Sequence, residues 1–152
     1  RMPGGVGGRR EQSCLLPDII QHMRYALLVL SSPIDGNCLL SAARFAGAVI
    51  AKGHTLDTVF FSDAATAVGL KGLAAPQDEV SNQAAWQTLA REHDIDLVLC
   101  VASAMQRGVH SVDDLPKDSA LQSSLAEGFR IGGLGQLVSA THVADRVLTF
   151  GG

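Results

Sequence analysis

The chain has 152 residues, 47% of them hydrophobic but only 5% aromatic, 18% charged, and a formal net charge of −3. That length suits one domain able to bury its own core. The weak acidity and the lack of any basic block beyond Arg9 and Arg10 argue against direct nucleic-acid binding, and no apolar run reaches the ~18 residues of a membrane helix.

Residues 1–22 are Gly-rich at their start and show no periodicity. Such a composition cannot bury enough apolar surface to offset the entropy of ordering. They are expected to be a disordered N-terminal extension or a cloning remnant, with a single domain over 23–152. The stretch also lacks the charge, apolar run and small-residue cleavage site of a signal peptide, and a cytoplasmic location is expected.

The elements then follow in order. The run Tyr25-Ala-Leu-Leu-Val-Leu30 predicts a buried strand, closed by the turn-rich Ser31–Asn37. Over 38–52 the apolar residues Leu39, Ala42, Ala43, Ala46, Val49 and Ile50 recur at helical spacing, and Gly53 ends the helix. Residues 56–61 read as the second strand. The segment 62–81 reads as irregular with one short helical turn, and 82–93 as a helix burying Trp86 and Leu89. A third strand is expected over 95–100, then loop or short helix over 101–118 and a short helix over 119–126. The last helix is expected over 133–144 and the last strand over 146–150. Alternating strands and helices predict an α/β fold: a flavodoxin-like parallel sheet with helices on both faces. Functional groups in such sheets lie beyond the carboxyl ends of the strands.

Three cysteines occur, Cys14, Cys38 and Cys100, with no C-x-x-C pair. Free thiols of this kind point to a reducing compartment. Cys14 falls in the N-terminal extension. Cys38 opens a helix, where the local field favours a thiolate. Cys100 ends a strand, so its thiol is expected at the lip of the sheet facing the N–H groups of the next turn. Arg107, seven residues on, is placed to reach a nearby anion. The residues alone favour the plainer reading of Cys100 as a small buried hydrophobe.

Other candidates weigh less. The histidines His22, His54, His93, His110 and His142 are scattered, with no metal-ligand spacing, so no metal is expected. Gly132-Gly-Leu-Gly135 comes too late and lacks the third glycine of a dinucleotide loop. It reads as a turn that lets the last helix pack closely on the sheet. Asp113-Asp114 reads as a solvated loop pair. No cofactor is expected.

Several segments together resemble the DsrE/TusD family of sulfur-transfer proteins. They are Met23-Arg-Tyr-Ala-Leu-Leu-Val, Phe45-Ala before Gly53-His54, Val59-Phe-Phe61, Phe129-Arg-Ile-Gly-Gly-Leu-Gly-Gln-Leu137 and Ala144-Asp-Arg-Val147. The most specific is Cys100-Val-Ala-Ser-Ala-Met-Gln-Arg-Gly108, similar to the family's C-V-A-A-A-x-x-R-G. The resemblance implies that Cys100 carries sulfur as a persulfide. It also implies a hetero-hexamer of three related subunits, two copies each, that takes sulfur from an upstream persulfide donor and passes it to an acceptor protein. The family serves 2-thiouridine synthesis in tRNA or intracellular sulfur oxidation. The chain departs from the family at Ser62, where a tyrosine is expected, and in the loop Ser32–Cys38. Two other readings stand beside it: a non-catalytic scaffold subunit, and a flavodoxin-like small-ligand binder. The latter would need a phosphate cradle after the first strand, where Pro33 removes a donor.

Overall fold

The structure, a computed structural model, describes residues 21–151. Five strands form one sheet: β1 (Arg24–Val29), β2 (Thr55–Phe61), β3 (Asp96–Cys100), β4 (Phe129–Gly132) and β5 (Arg146–Phe150). Their order is β4-β3-β2-β1-β5, and every pairing is parallel. The connecting helices are α1 (Cys38–Ala51), α2 (Asn82–His93), α3 (Val101–Gln106) and α4 (Leu134–Val143), with a 3₁₀ segment at Asp63–Gly69.

The strand side chains alternate between two faces, as the pleat requires. On one face Leu27, Val29, Val59, Phe61, Leu97 and Leu99 pack against Leu39, Ala42, Ala46 and Val49 of α1 and Trp86 of α2. The alanines matter because they let α1 sit close to the sheet. Phe61 holds the centre, with its ring edge-on to Trp86 at 5.3 Å and to Phe129 at 5.9 Å between centroids. Such pairs add to the area they bury. The Trp86 indole N–H is buried there without a partner among the described residues.

The other face is thinner. Phe60, Val98 and Cys100 form a small buried cluster with Leu28 and Leu137, and among the described residues α4 alone lies over it. No residue of α4 is fully buried, and Leu134, Val138, Val143 and the β5 residue Val147 are exposed.

Most expected elements stand where the sequence placed them, with ends moved by one or two residues. Two expectations fail. Residues 119–126 form no helix. The segment is tied down instead by an isolated antiparallel bridge of Leu125 to Leu70 and by Ala126 N–H donating to the Gly69 carbonyl at 2.7 Å. Neighbouring Ser124 accepts the His110 N–H at 3.0 Å and donates to the Gly108 carbonyl at 2.6 Å. The sequence reading also missed β4. Phe-Arg-Ile-Gly is four residues long, ends in glycine and carries an arginine, so its pattern was too short to register. Its register is pinned by Arg130, which holds Asp96 of β3 through both nitrogen donors, Nε to Oδ1 at 2.6 Å. A third difference concerns the boundary at residue 22. His22, assigned to the extension, has its Nε2 at 2.8 Å from the Thr55 hydroxyl. Residues 1–20, with Cys14, lie outside the described residues.

The first-face core yields a stability prediction. Replacing fully buried Phe61 by Ala should cost about 3–5 kcal/mol in urea unfolding. Replacing exposed Leu121 by Ala should stay within about 0.5 kcal/mol. A Phe61→Ala loss no larger than the Leu121→Ala one would contradict the packing described.

Candidate active site

Strand β3 and helix α3 are joined without a connecting residue: Cys100 is the last residue of one and the N-cap of the other, at φ −59° and ψ 121°. The thiol therefore stands at the sheet edge and at the first turn of a helix together. Parallel pairing sets the surroundings. Phe61 is level with Leu99, which brings the next residue, Ser62, level with Cys100 on one side. On the other side Cys100 pairs with Gly132.

Ser62 is held by its N–H donating to the Val29 carbonyl at 2.9 Å. The chain then turns sharply at Asp63, a non-glycine residue at φ 50°. Asp63 N–H donates to the hydroxyl oxygen of Ser103 at 3.1 Å. The Ser62 and Ser103 hydroxyls lie 3.5 Å apart. Ser103 is 8% exposed and Cys100 6%. Gly132 closes the opposite wall; a Cβ there would lie 2.6 Å from Val98 Cγ1 and 3.0 Å from Gln136 Cγ of α4. Of the glycine run, Gly132 alone serves the close packing of α4; a Cβ at Gly133 or Gly135 would meet nothing within 4 Å.

Two opposed effects act on the Cys100 thiol. Burial, the largest single one, disfavours the charged form and pushes the pKa up. Against it stand the Ser103 N–H, the hydroxyls of Ser103 and Ser62, and the Ala102 N–H, which together bring the pKa below the ordinary thiol value. The neutral thiol makes no capping hydrogen bond. The donors exert their effect on the thiolate, a far stronger acceptor. The thiolate fraction consequently persists to lower pH than for an ordinary cysteine and falls as pH drops through the Cys100 pKa.

The other candidates are dispersed. Cys38 is half-buried at the start of α1, beyond the end of β1, with β2 between that strand and β3. Arg107 does not reach toward an anion: its Nη1 donates to the Ser103 carbonyl at 3.1 Å, closing the short helix α3. His54 lies at the opposite end of the sheet, before β2, and accepts from Met23 N–H at 3.3 Å. His110 is held near Ser124 and the Gln122 carbonyl. Among the described residues no three His, Cys, Asp or Glu side chains converge as a metal site. Asp114 accepts from the N–H and hydroxyl of Ser111, at 2.9 and 2.6 Å, which lowers its pKa and fixes the loop. An open hollow of about 530 Å³ is lined in part by Arg130, Gly133 and Asp113 and by Val101 and Gly132, the chain neighbour and the ladder partner of Cys100.

Sequence reasoning missed Ser103, and it noted Ser62 only as a departure. One signal was available for Ser103. It stands three residues after Cys100, a spacing that returns to the same side of a helix. Nothing in the sequence alone could bring Ser62 to the same point, because that depends on the β2–β3 register.

Comparison with known proteins agrees with this architecture. The chain is 41% identical over 128 residues to a protein of Vibrio vulnificus named sulfurtransferase TusD homolog, covering 84% of this chain and 98% of that protein. It is 36% identical to the sulfurtransferase TusD of Photorhabdus laumondii, over 84% of this chain and 98% of that one. It is 34% identical to the putative sulfurtransferase DsrE of Allochromatium vinosum, over 85% and 99%. The crystal structure of the Escherichia coli ychN protein superposes with a TM-score of 0.66 at 23% identity, covering 84% of this chain and 99% of that one, a likeness of fold. Residues 23–150 match the DsrE/DsrF-like family, and the chain belongs to it.

Proposed function

We propose that the chain is a sulfurtransferase of a sulfur relay that carries sulfur as a persulfide on Cys100. The observation that carries this reading is the placing of Cys100 at a strand end, among four donors that favour its thiolate. The names of the relatives, sulfurtransferases throughout, support the activity.

The chemistry needs a nucleophile, a leaving group and access. The Cys100 thiolate attacks the outer sulfur of a donor persulfide, R–S–SH. A new S–S bond forms, the donor's S–S bond breaks, and the donor leaves as the thiolate R–S⁻. Cys100 then bears –S–SH. In the second step an acceptor thiolate attacks that outer sulfur, and Cys100 departs as a thiolate again. No electrons are gained or lost overall, so no redox cofactor enters. A leaving thiolate with a lowered pKa departs more readily, so the same donors serve both steps. The hollow beside Val101 and Gly132 gives the incoming chain its approach.

The two other readings are less well supported. A scaffold subunit has no need of a cysteine among thiolate-favouring donors. A small-ligand binder needs free backbone donors after β1, where Pro33 has no N–H to give. The proposed setting is the cytoplasm, where a thiolate carrier escapes oxidation. Among the described residues no helix is long and apolar enough to cross a membrane.

The proposed working form is an oligomer of related subunits, a hetero-hexamer in its fullest form. Its support is the thin second face: Leu134, Val138 and Val143 of α4 and Val147 of β5 stand exposed on adjoining elements, more than scattered surface residues require.

Two outcomes follow. Incubated with a persulfide donor, the wild-type chain should gain one sulfur atom in intact-mass spectra, lost again on reduction, while Cys100→Ser should gain none. A gain that survives Cys100→Ser would move the chemistry to another cysteine. For assembly, Val138→Asp should shift the sedimentation of the protein, expressed with its related subunits, toward monomer. An unchanged distribution would place the interface elsewhere.

A further inference from the structure

The environment of Cys100 holds a feature that neither the fold nor sulfur transfer as such requires. Two serine hydroxyls, Ser62 after β2 and Ser103 on α3, lie 3.5 Å apart, with Ser62 level with Cys100 across the β2–β3 ladder and Ser103 three residues beyond Cys100 in the first turn of α3.

The direction of the Ser103 hydroxyl is constrained. Its oxygen already accepts the Asp63 N–H at 3.1 Å. Its one proton must then point elsewhere, and the groups open to it are the Cys100 sulfur and the Ser62 oxygen. The Asp63 amide is aimed by a residue in the left-handed region, a conformation that a side chain disfavours. That conformation is kept by the turn itself, in which the Thr66 hydroxyl donates to the Asp63 carbonyl at 2.8 Å. Thr66 is fully buried and Ser103 nearly so, so the arrangement is not a surface accident.

Charge does not explain the lowered thiol pKa. The charged or titratable groups on the elements around Cys100 are Asp57 on β2, Asp63 beyond it, Arg107 after α3, Asp113 and Asp114 in the loop by Val101, the Asp96–Arg130 pair across β3 and β4, and His142 on α4. None of them lowers the thiol pKa through its charge, and every lowering influence is a hydrogen-bond donor. Two of the four donors are backbone N–H groups that any residue would supply. The remaining two are the serine hydroxyls.

We infer that Ser62 and Ser103 are positioning residues, a hydroxyl pair preset by the Asp63 amide that holds Cys100 as the thiolate and receives it back after each sulfur transfer. This rests on the reading of Cys100 as the sulfur carrier. The pair replaces the ionic partner that many reactive cysteines use, and it can do so beside a buried thiol because it brings no charge to bury.

The test uses the full chain with Cys14 and Cys38 changed to serine, leaving Cys100 as the only thiol. The rate of alkylation by iodoacetamide is followed against pH. In the parent the midpoint should lie below that of a free thiol such as glutathione. Ser103→Ala and Ser62→Ala should each move it upward, and the double variant furthest. Below the midpoint, alkylation should slow about tenfold for every pH unit by which the midpoint rises. Ser62→Thr, which keeps a hydroxyl, should retain the parent midpoint. Above all midpoints the rates should converge, since access is unchanged. An unmoved midpoint in the folded double variant would overturn the proposal. If Ser103→Ala fails to fold, Ser62→Ala against Ser62→Thr decides it, because Ser62 is only partly buried. Sulfur loading of the parent, read separately by mass, keeps the two ideas apart. Loading with an unmoved midpoint rejects the hydroxyl pair alone. Raised midpoints in the variants without loading of the parent reject the carrier reading alone.

Discussion

The functional geometry depends on the direct passage from β3 into α3. With no residue between Cys100 and Val101, one side chain must both complete the strand and cap the helix. Its sulfur is buried against Phe60 and Val98, yet it faces the first N–H groups of the helix. Burial opposes the thiolate and the donors favour it, and the donors prevail. A longer connection would let the thiol swing into solvent, where its pKa would be ordinary and its orientation free.

The sheet supplies the remaining constraints. Because β2 and β3 are parallel with Phe61 level with Leu99, the turn after β2 is delivered to the thiol. Because Cys100 pairs with Gly132, the opposite wall contains no side chain, and α4 packs closely above it. The Arg130–Asp96 pair fixes that short fourth strand in register. Each of these is a consequence of packing, and each also shapes the space around one sulfur atom. The unequal covering of the two faces fits the same logic. The first face, sealed by α1 and α2, carries stability, whereas the second, under α4, leaves apolar surface beside the reactive edge.

Much of this was legible in the sequence, and the reason is periodicity. The apolar runs of β1, β2 and β3 and the alanine stripe of α1 are long enough to declare their period, and the position of Cys100 at a strand end follows from them. The failures share a cause too. β4 spans only Phe129–Gly132, and its existence depends on Asp96 of another strand. The segment 119–126 has a helix-like composition, but its hydrogen bonds go to Gly69, Lys71 and His110. Ser62 and Ser103 were beyond reach as a pair because they are brought together by register across 41 residues of sequence. Arg107 seemed aimed at an anion by its spacing, and its side chain instead closes the helix that carries Cys100.

The most direct test of the central claim is a chase of isotopically labelled sulfur through Cys100. The chain is first loaded from a labelled persulfide donor, freed of the donor, and then mixed with an acceptor protein bearing a single thiol. The account predicts that label leaves the peptide containing Cys100 at the rate at which it appears on the acceptor thiol, and that the chain can be loaded again. Label that stays on Cys100 while the acceptor is charged directly from the donor would contradict it.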